Sequence, residues 1–260
     1  MKKMKWALAF AGLLALGLAS GCGDAAKPAP KAEKPEKMLR VGTDIAYPPM
    51  EFKDESGKIV GFEIDLAHAV ADKMGAKLEI KDITFSDLTQ AAVDGKIDAI
   101  MADFEVTDER KKDLTFSDPY VENPGYSILV KKDDTTIQDW KDLAGKVVGT
   151  QDGTRQTKES IDIGAERIHA FNKKENVLKG LLSGEVEAVV IDSPVAHYYA
   201  NQKDSQFKIV GEEKPTGRPI AVAMKKGNTD LQKEINAALK ALKDDGTIAK
   251  ISETWFGQKK

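Results

Sequence analysis

The 260-residue sequence contains little cysteine and little histidine. Its one cysteine, Cys22, excludes an internal disulfide, a four-cysteine zinc site and a CxxC redox pair. The three histidines, His68, His169 and His197, lack the HxxxH and HxH spacings of common metal sites. A glycine-rich phosphate-binding loop is also missing. The sequence therefore gives no reason to expect a metal, redox or nucleotide cofactor.

Long apolar runs are absent after the first 20 residues. Three lysines stand within the first five residues, an apolar run covers residues 6–18, and small residues follow up to Cys22. This order is typical of an export signal. Because these 13 residues would form a helix too short to cross a hydrocarbon core of about 30 Å, we expect residues 1–21 to be a removed signal peptide.

Cys22 follows directly on the small residues that end this signal. Such a run resembles the bacterial lipobox, in which the cysteine thiol is acylated, although Ala19 stands where Leu is usual. The alternative is a free thiol in a discarded tail. Residues 22–37 hold three prolines among Ala, Lys and Glu, which favours an extended tether with a lipidated Cys22 at its start. The lipid would be the chain's only membrane contact.

The charge balance is acidic. The formal net charge is −3, and removal of the three signal lysines would take it to about −6. An acidic chain is not expected to bind nucleic acid or an anionic membrane surface. About 220 residues follow the tether, which is enough for one or two globular domains.

Short apolar segments alternate with amphipathic ones in this folded part. Strands are predicted at residues 39–43, 78–80 and 97–102, and helices at residues 61–74 and 86–95. Alternating strands and helices predict an α/β protein with parallel sheets.

The pattern occurs twice. AAVDGKIDAIMAD at residues 91–103 matches GLLSGEVEAVVID at residues 180–192, and both copies end in Asp. We therefore predict two parallel-sheet α/β lobes, with residues 38–127 plus 221–260 in lobe 1 and residues 128–220 in lobe 2. The two crossovers would form a hinge. Polar residues just after the strands would then face a ligand, as in other open α/β sheets.

Six segments occur in an informative order: VGTDIAYPPMEF, GFEIDLAHAV, VTDERKKDLTFSDPY, GTQDGT, AVVIDSPVA and DDGTIAKISETWFG. Together they resemble solute-binding protein family 3, the amino-acid receptors of ABC importers, and the resemblance covers the chain from Met38 onward. It implies the two-lobed periplasmic-binding-protein fold and a monomer that binds a small amino acid without catalysis. It also implies ABC transporter permease subunits as partners and a location outside the cytoplasm, anchored to the cell membrane by lipid.

An amino acid carries a carboxylate and an ammonium, and each needs a buried partner. Arg110 offers a planar fork for the carboxylate, with Thr107 as a cap that positions it. The resemblance assigns the same role to the turn at residues 152–154, where the Thr154 hydroxyl and backbone amides would converge on an anion. The alternatives are a surface charge for Arg110 and a plain turn for residues 149–154.

Asp192 is the predicted partner of the ammonium. It ends an apolar strand, where a carboxylate is costly unless it meets a cation. The resemblance places the amine-binding acid at the same position. The alternative role is the N-cap of the following helix.

The resemblance assigns Tyr47 and Phe85 to the flanks of the ligand and Asp44 to its side chain. Each has a structural alternative: the two rings could belong to the core, and Asp44 could be a turn residue.

Asp103 and Glu105 depart from the family pattern, in which small or hydroxyl residues are usual. With Asp44 and Asp192 they would place four carboxylates in the cleft against Arg110 alone. A cationic ligand such as lysine, arginine, ornithine or histidine would reduce this imbalance, and glutamine comes next. Protonation of one acid, or a direct role of Glu105 in holding the ammonium, would weaken the argument.

The competing function is an enzyme on the same scaffold, because the resemblance extends to periplasmic dehydratases. Asp103 or Glu105 would then donate or accept a proton while Arg110 holds the carboxylate of the substrate. Turnover of candidate substrates discriminates between the two functions.

Overall fold

The structure of the chain is a computed structural model that describes residues 36–257. These residues contain twelve β-strands, seven α-helices and three short 3-10 helices. The predicted signal peptide, Cys22 and most of the predicted tether lie outside the described residues. Among the described residues, no helix is both long enough and apolar enough to cross a membrane.

The strands and helices alternate along most of the chain. The strands are β1 (Met38–Thr43), β2 (Phe52–Lys53), β3 (Ile59–Val60), β4 (Lys77–Asp82), β5 (Ala99–Ile100), β6 (Leu114–Val121), β7 (Gly125–Lys131), β8 (Val147–Gln151), β9 (Arg167–Phe171), β10 (Ala188–Asp192), β11 (Phe207–Pro215) and β12 (Ile220–Lys225). The α-helices are α1 (Phe62–Met74), α2 (Leu88–Val93), α3 (Gln156–Asp162), α4 (Lys174–Ser183), α5 (Ser193–Ala200), α6 (Thr229–Asp244) and α7 (Thr247–Phe256). The 3-10 helices are Phe85–Asp87, Arg110–Lys112 and Trp140–Leu143.

Ten strands form two sheets of five, and β2 and β3 form a small separate hairpin. The first sheet has the strand order β4-β1-β5-β12-β6, and the second has the order β11-β7-β10-β8-β9. Helices α1, α2, α6 and α7 pack in the first lobe and α3, α4 and α5 in the second. This arrangement confirms the predicted two-lobed α/β fold.

The sheets are mixed instead of wholly parallel. Strands β4, β1 and β5 run parallel, as do β10, β8 and β9. Strand β12 is antiparallel to β5 and β6, and β7 is antiparallel to β10 and β11. The chain leaves the first sheet through β6 and returns through β12, and it enters the second through β7 and leaves through β11. Because each outgoing strand lies beside the returning one, the two must run in opposite directions.

The two crossovers lie earlier in the chain than the predicted boundaries at residues 127/128 and 220/221. They occupy residues 122–124 and 216–219, since β7 belongs to the second sheet from Gly125 and β12 to the first from Ile220. Ser127, which the prediction placed at the crossover, is 2% exposed inside β7. The run GYSILVK has continuous strand character, so its composition did not mark where the lobes separate.

The central strands are buried on both faces. All five residues of β10 and the first five of β12 are buried, because helices cover the sheets. Such strands appear in the sequence as continuous apolar runs. A polar residue at the end of such a strand lies beyond the part of the sheet that the helices cover. Asp192, at the end of β10, is such a residue.

Candidate ligand-binding site

A small polar cleft lies between the two lobes. Eight side chains were predicted to bind a ligand, and all of them line this cleft: Asp44, Tyr47, Phe85, Asp103, Glu105, Arg110, Thr154 and Asp192. Their contact with a ligand stays a prediction.

Most of the lining follows the carboxyl end of a strand. In the first sheet, Asp44 follows β1 and Ala102 lies just beyond β5. In the second, Gln151 and Asp192 end β8 and β10, and Lys174 follows β9. The carboxyl ends of parallel strands meet at one edge of a sheet. Each sheet therefore presents polar side chains to the other across the cleft.

The Arg110 guanidinium is held from several sides. Its Nη1 donates to Glu105 O at 2.9 Å, and its Nη2 donates to Gly153 O at 3.3 Å in the other lobe. The guanidinium carbon lies 3.8 Å from the centre of the Phe104 ring. The Thr107 hydroxyl oxygen accepts a bond from Arg110 N at 3.1 Å, which is the predicted cap. Burial lowers the pKa of Arg110 to about 10, so the group stays charged at neutral pH.

The Asp192 carboxylate points into the cleft. It is the N-cap residue of α5 by position, yet its Oδ2 accepts hydrogen bonds from Tyr47 Oη and, at 2.8 Å, from Gln156 Nε2. Lys174 Nζ lies 4.0 Å from the same oxygen, the outer limit of an ion pair. Burial raises the pKa of Asp192 to about 7. A cation placed against this oxygen would therefore stabilise the ionised carboxylate.

Contacts across the cleft hold the lobes closed over it. Asp44 Oδ2 accepts a hydrogen bond from Gln151 Nε2 at 2.6 Å, and burial raises the pKa of Asp44. Three pairs join the first lobe to the second in this way: Asp44 with Gln151, Tyr47 with Asp192, and Arg110 with Gly153.

Phe85 and Thr154 line the cleft from different lobes. Phe85 is half-buried, and its ring centre lies 5.6 Å from that of Phe104. The Thr154 hydroxyl donates to Gln151 O at 2.6 Å, within its own turn. Helix α3 begins at Gln156, two residues further on, so Thr154 belongs to the turn before the helix.

Glu105 faces the cleft but is already paired. Its Oε1 accepts a hydrogen bond from the Tyr126 hydroxyl at 2.8 Å, and its Oε2 lies 3.3 Å from Arg218 Nε. Arg218 also contacts Glu159, at 3.3 Å between Nη2 and Oε1. Because Arg218 follows β11 near the second crossover, Glu105 belongs to a charged cluster at the hinge. The expectation that Glu105 adds an unpaired negative charge is therefore wrong.

Asp103 contacts Glu63, which lies beside Glu51 in a buried pair of carboxyl groups. Its φ is 52°, a left-handed conformation that Asp tolerates better than most residues, and its backbone N–H donates to both Glu63 oxygens at 2.9 Å. The Tyr120 hydroxyl also donates to Glu63. Burial and the neighbouring Glu63 raise the pKa of Asp103 to about 8, and burial raises that of Glu63 to about 7. Burial raises the pKa of Glu51, beside Glu63, well above its usual value.

Sequence reasoning missed five charged or amide residues of the lining: Glu51, Gln151, Arg155, Gln156 and Lys174. With them, five carboxyl groups face three cationic side chains along the lining, which corrects the expectation of four acids against Arg110 alone. Lys173 and Lys174 both follow β9, so their position after a strand indicated the pair of lysines but not which of them is buried. The exposed Lys173 made the pair resemble a solvated surface.

Several buried polar atoms of the lining lack a hydrogen-bond partner. Among the described residues, these are Glu51 Oε2, Arg155 Nε and Gln156 Oε1. Buried polar groups are nearly always paired in folded proteins, and each exception needs an explanation. A polar ligand with both donors and acceptors would satisfy such a set.

Two α/β lobes that close on a polar cleft and are joined by two adjacent crossovers define a two-lobed solute-binding protein. The chain belongs to the bacterial extracellular solute-binding proteins, family 3, whose family model matches residues 39–258.

Relatives of known function are similar over most of their length. The arginine-binding extracellular protein ArtP of Bacillus subtilis is 32% identical over 229 residues, which are 86% of this chain and 88% of that protein. A solved structure of an ancestral arginine-binding protein bound to arginine is 44% identical with a TM-score of 0.80, covering 85% of this chain and 99% of that one. The corresponding structure bound to glutamine is also 44% identical, with a TM-score of 0.81, covering 86% and 99%.

Proposed function

We propose that this protein is an extracytoplasmic receptor that captures one L-amino acid in the cleft and delivers it to an ABC importer. The observation that carries the proposal is that a half-buried cation, Arg110, and a buried acid, Asp192, line the same closed cleft. A zwitterion supplies the opposite charge to each. The arginine-binding relatives support the same assignment.

The ligand's carboxylate is assigned to Arg110, whose planar guanidinium can engage two oxygens at once. Arg155, with its unpartnered Nε in the same lining, is a second donor for it. The ammonium is assigned to Asp192, and the side chain to the space between Tyr47 and Phe85. Closure then replaces the water of hydration by fixed polar partners, so binding favours the closed lobes.

The preferred side chain is cationic, with arginine first and glutamine next. Acids exceed bases along the lining, and Asp44, Glu51 and Asp103 have pKa values raised by burial or by one another. A guanidinium beside them would stabilise their ionised forms. The relatives that bind arginine, and the ancestral protein seen with both arginine and glutamine, support this order.

Calorimetry and thermal melts on the mature chain test the proposal with arginine, lysine, ornithine, histidine, glutamine and glycine. A ligand at about 100 times its Kd should stabilise the fold by roughly 2.7 kcal/mol. We expect the largest shift with arginine. A shift with a neutral ligand alone would remove the cationic preference, and no shift with any amino acid would remove the receptor function.

The anchor at Cys22 is proposed from the sequence, since it lies outside the described residues. In an exporting bacterium, metabolic labelling with a fatty acid should mark the wild type, and Cys22→Ser should give an unlabelled, released protein.

We also propose that the receptor acts as a monomer, because one chain supplies every residue assigned to the ligand. Light scattering with and without arginine measures this.

The dehydratase alternative now depends on Asp103 alone. Glu105 is engaged by Tyr126 and Arg218, whereas Asp103, with a pKa raised to about 8, holds a proton that it could donate at neutral pH. Mass spectrometry of the ligand recovered after prolonged incubation separates the two functions. A receptor returns it unchanged, and an enzyme returns a product.

A further inference from the structure

Lys174 places a buried ammonium inside the cleft. It is the first residue of α4 and is 4% exposed. Its Nζ lies 3.6 Å from the centre of the Tyr47 ring, a cation–π contact, and 4.0 Å from Asp192 Oδ2. Both partners are residues to which the proposed function assigns the ligand. A cation of the protein itself therefore lies within the space assigned to the ligand.

The surroundings of Lys174 are acidic. Burial lowers its pKa to about 7, and attraction by Asp103, Asp44 and Glu51 opposes this effect. Lys174 is thus charged in a large fraction of molecules at neutral pH. The three acids that attract it are also those that a cationic ligand side chain would approach.

We propose that Lys174 sets the selectivity of the cleft between cationic and neutral side chains, because its ammonium lies beside Asp192 in the same cleft as Asp44, Glu51 and Asp103. The inference rests on the proposed amino-acid receptor function and specifies its ligand class. A guanidinium must share Asp44, Glu51 and Asp103 with Lys174 and is repelled by it. A neutral amide or urea of the same size is not repelled, so the wild-type protein binds neutral polar amino acids alongside arginine.

The size of the effect follows from Coulomb's law. Two like charges a few ångströms apart at a partly buried site change an equilibrium constant by about tenfold or more. Both ligands carry the ammonium assigned to Asp192, so removal of the Lys174 charge should raise the ratio of arginine to neutral-ligand affinity by about that factor.

Arginine and citrulline provide a matched pair of probes. They have the same length and shape, and they differ in that arginine ends in a guanidinium and citrulline in a neutral urea. Calorimetry on the full mature chain would compare the wild type with Lys174→Met, using Lys173→Met as the control because Lys173 is the adjacent, exposed lysine. We expect the ratio of arginine to citrulline affinity to rise about tenfold in Lys174→Met and to stay at the wild-type value in Lys173→Met.

Two results would overturn the inference. An unchanged ratio in Lys174→Met would mean that the Lys174 charge does not act on the ligand's side chain. A parallel loss of both ligands in a folded Lys174→Met protein would mean that Lys174 contacts the ligand or shapes the cleft. Lys174→Gln, checked by circular dichroism, provides a second neutral variant that must give the same rise. If the wild type bound no amino acid, the proposed function itself would fail, and this inference with it.

Discussion

Asp192 combines a charge with nearly complete burial. It is 7% exposed, and its Oδ2 is shared by Tyr47 and Gln156 from opposite lobes. A carboxylate with so little water depends on the donors around it. The carboxylate that helps to hold the lobes together is therefore also the one to which we assign the ligand ammonium.

Asp192→Asn removes the negative charge and keeps the shape. We expect arginine binding to weaken by at least about 100-fold, because the buried ammonium loses its charged partner. The melting temperature should not fall, since a neutral amide costs less to bury than a carboxylate. Calorimetry and thermal melts measure both effects. Asp204→Asn, an exposed change in the same lobe, is the control, and equal affinity in the two variants would contradict the assignment.

Glu105 has a different role from the one its sequence position suggested. Glu105→Gln leaves Arg218 with one carboxylate partner, Glu159, where it had two. We expect a loss of about 1–3 kcal/mol in the free energy of unfolding. Arginine and citrulline should be affected equally, because the lost interaction lies at the hinge. A selective loss of arginine would restore Glu105 as a selectivity residue.

The segment between β1 and α1 is held in place by a glycine. Gly61, the residue before α1, has φ 136° and ψ 168°, a region open essentially to glycine alone. A Cβ there would overlap Met50 O and lie 2.6 Å from Met50 C. This close approach positions the chain that carries Tyr47 and Glu51 against the start of α1. The residue before α1 therefore controls the geometry of the cleft.

Gly61→Ala should destabilise the fold by about 3 kcal/mol or more, through backbone strain and overlap together. Gly57→Ala is the matched control, because Gly57 has φ 82° but no atom within 4 Å of its added Cβ. It should lose only about 1–2 kcal/mol. Urea unfolding measures both variants. Equal losses would show that the overlap with Met50 is relieved at no cost.

At the scale of the whole molecule, buried acids decide how stability depends on pH. Glu63 and Asp192 have pKa values of about 7 and Asp103 of about 8, against about 4 in an unfolded chain. The folded state therefore binds more protons than the unfolded state between about pH 4 and pH 8. The contribution of these three acids to the free energy of unfolding is fully present below pH 4 and is lost as the pH rises through 7 to 8. The lowered pKa of Lys174 opposes this loss only above about pH 7.

We expect the melting temperature to fall from pH 5 to pH 8. Some carboxyl groups, such as Asp98 beside Arg40, have a pKa lowered by an ion pair. They change the stability only below about pH 4, so they do not affect the range from pH 5 to pH 8. Melts at unit steps of pH, with and without Glu63→Gln, measure the slope. Glu63→Gln should flatten it, and a melting temperature that rises from pH 5 to pH 7 would contradict the prediction.

The sequence by itself determined the family, the two-lobed fold and eight residues that line the cleft. These features depend on short-range sequence patterns. Strand ends, helix starts and motif spacing locate Asp44, Arg110 and Asp192 without information from residues far away in the sequence. The crossovers were misplaced by a few residues because an apolar strand looks the same on either side of a lobe boundary.

Only the tertiary structure decided which charges are paired. Glu105 meets Arg218, 113 positions along the chain, and Lys174 becomes buried against Tyr47 from the other lobe. Burial and charge compensation depend on residues far apart in sequence, so no local pattern distinguishes buried Lys174 from exposed Lys173. For this reason the charge balance of the cleft, and with it the expected ligand, follows from how the two lobes pack together.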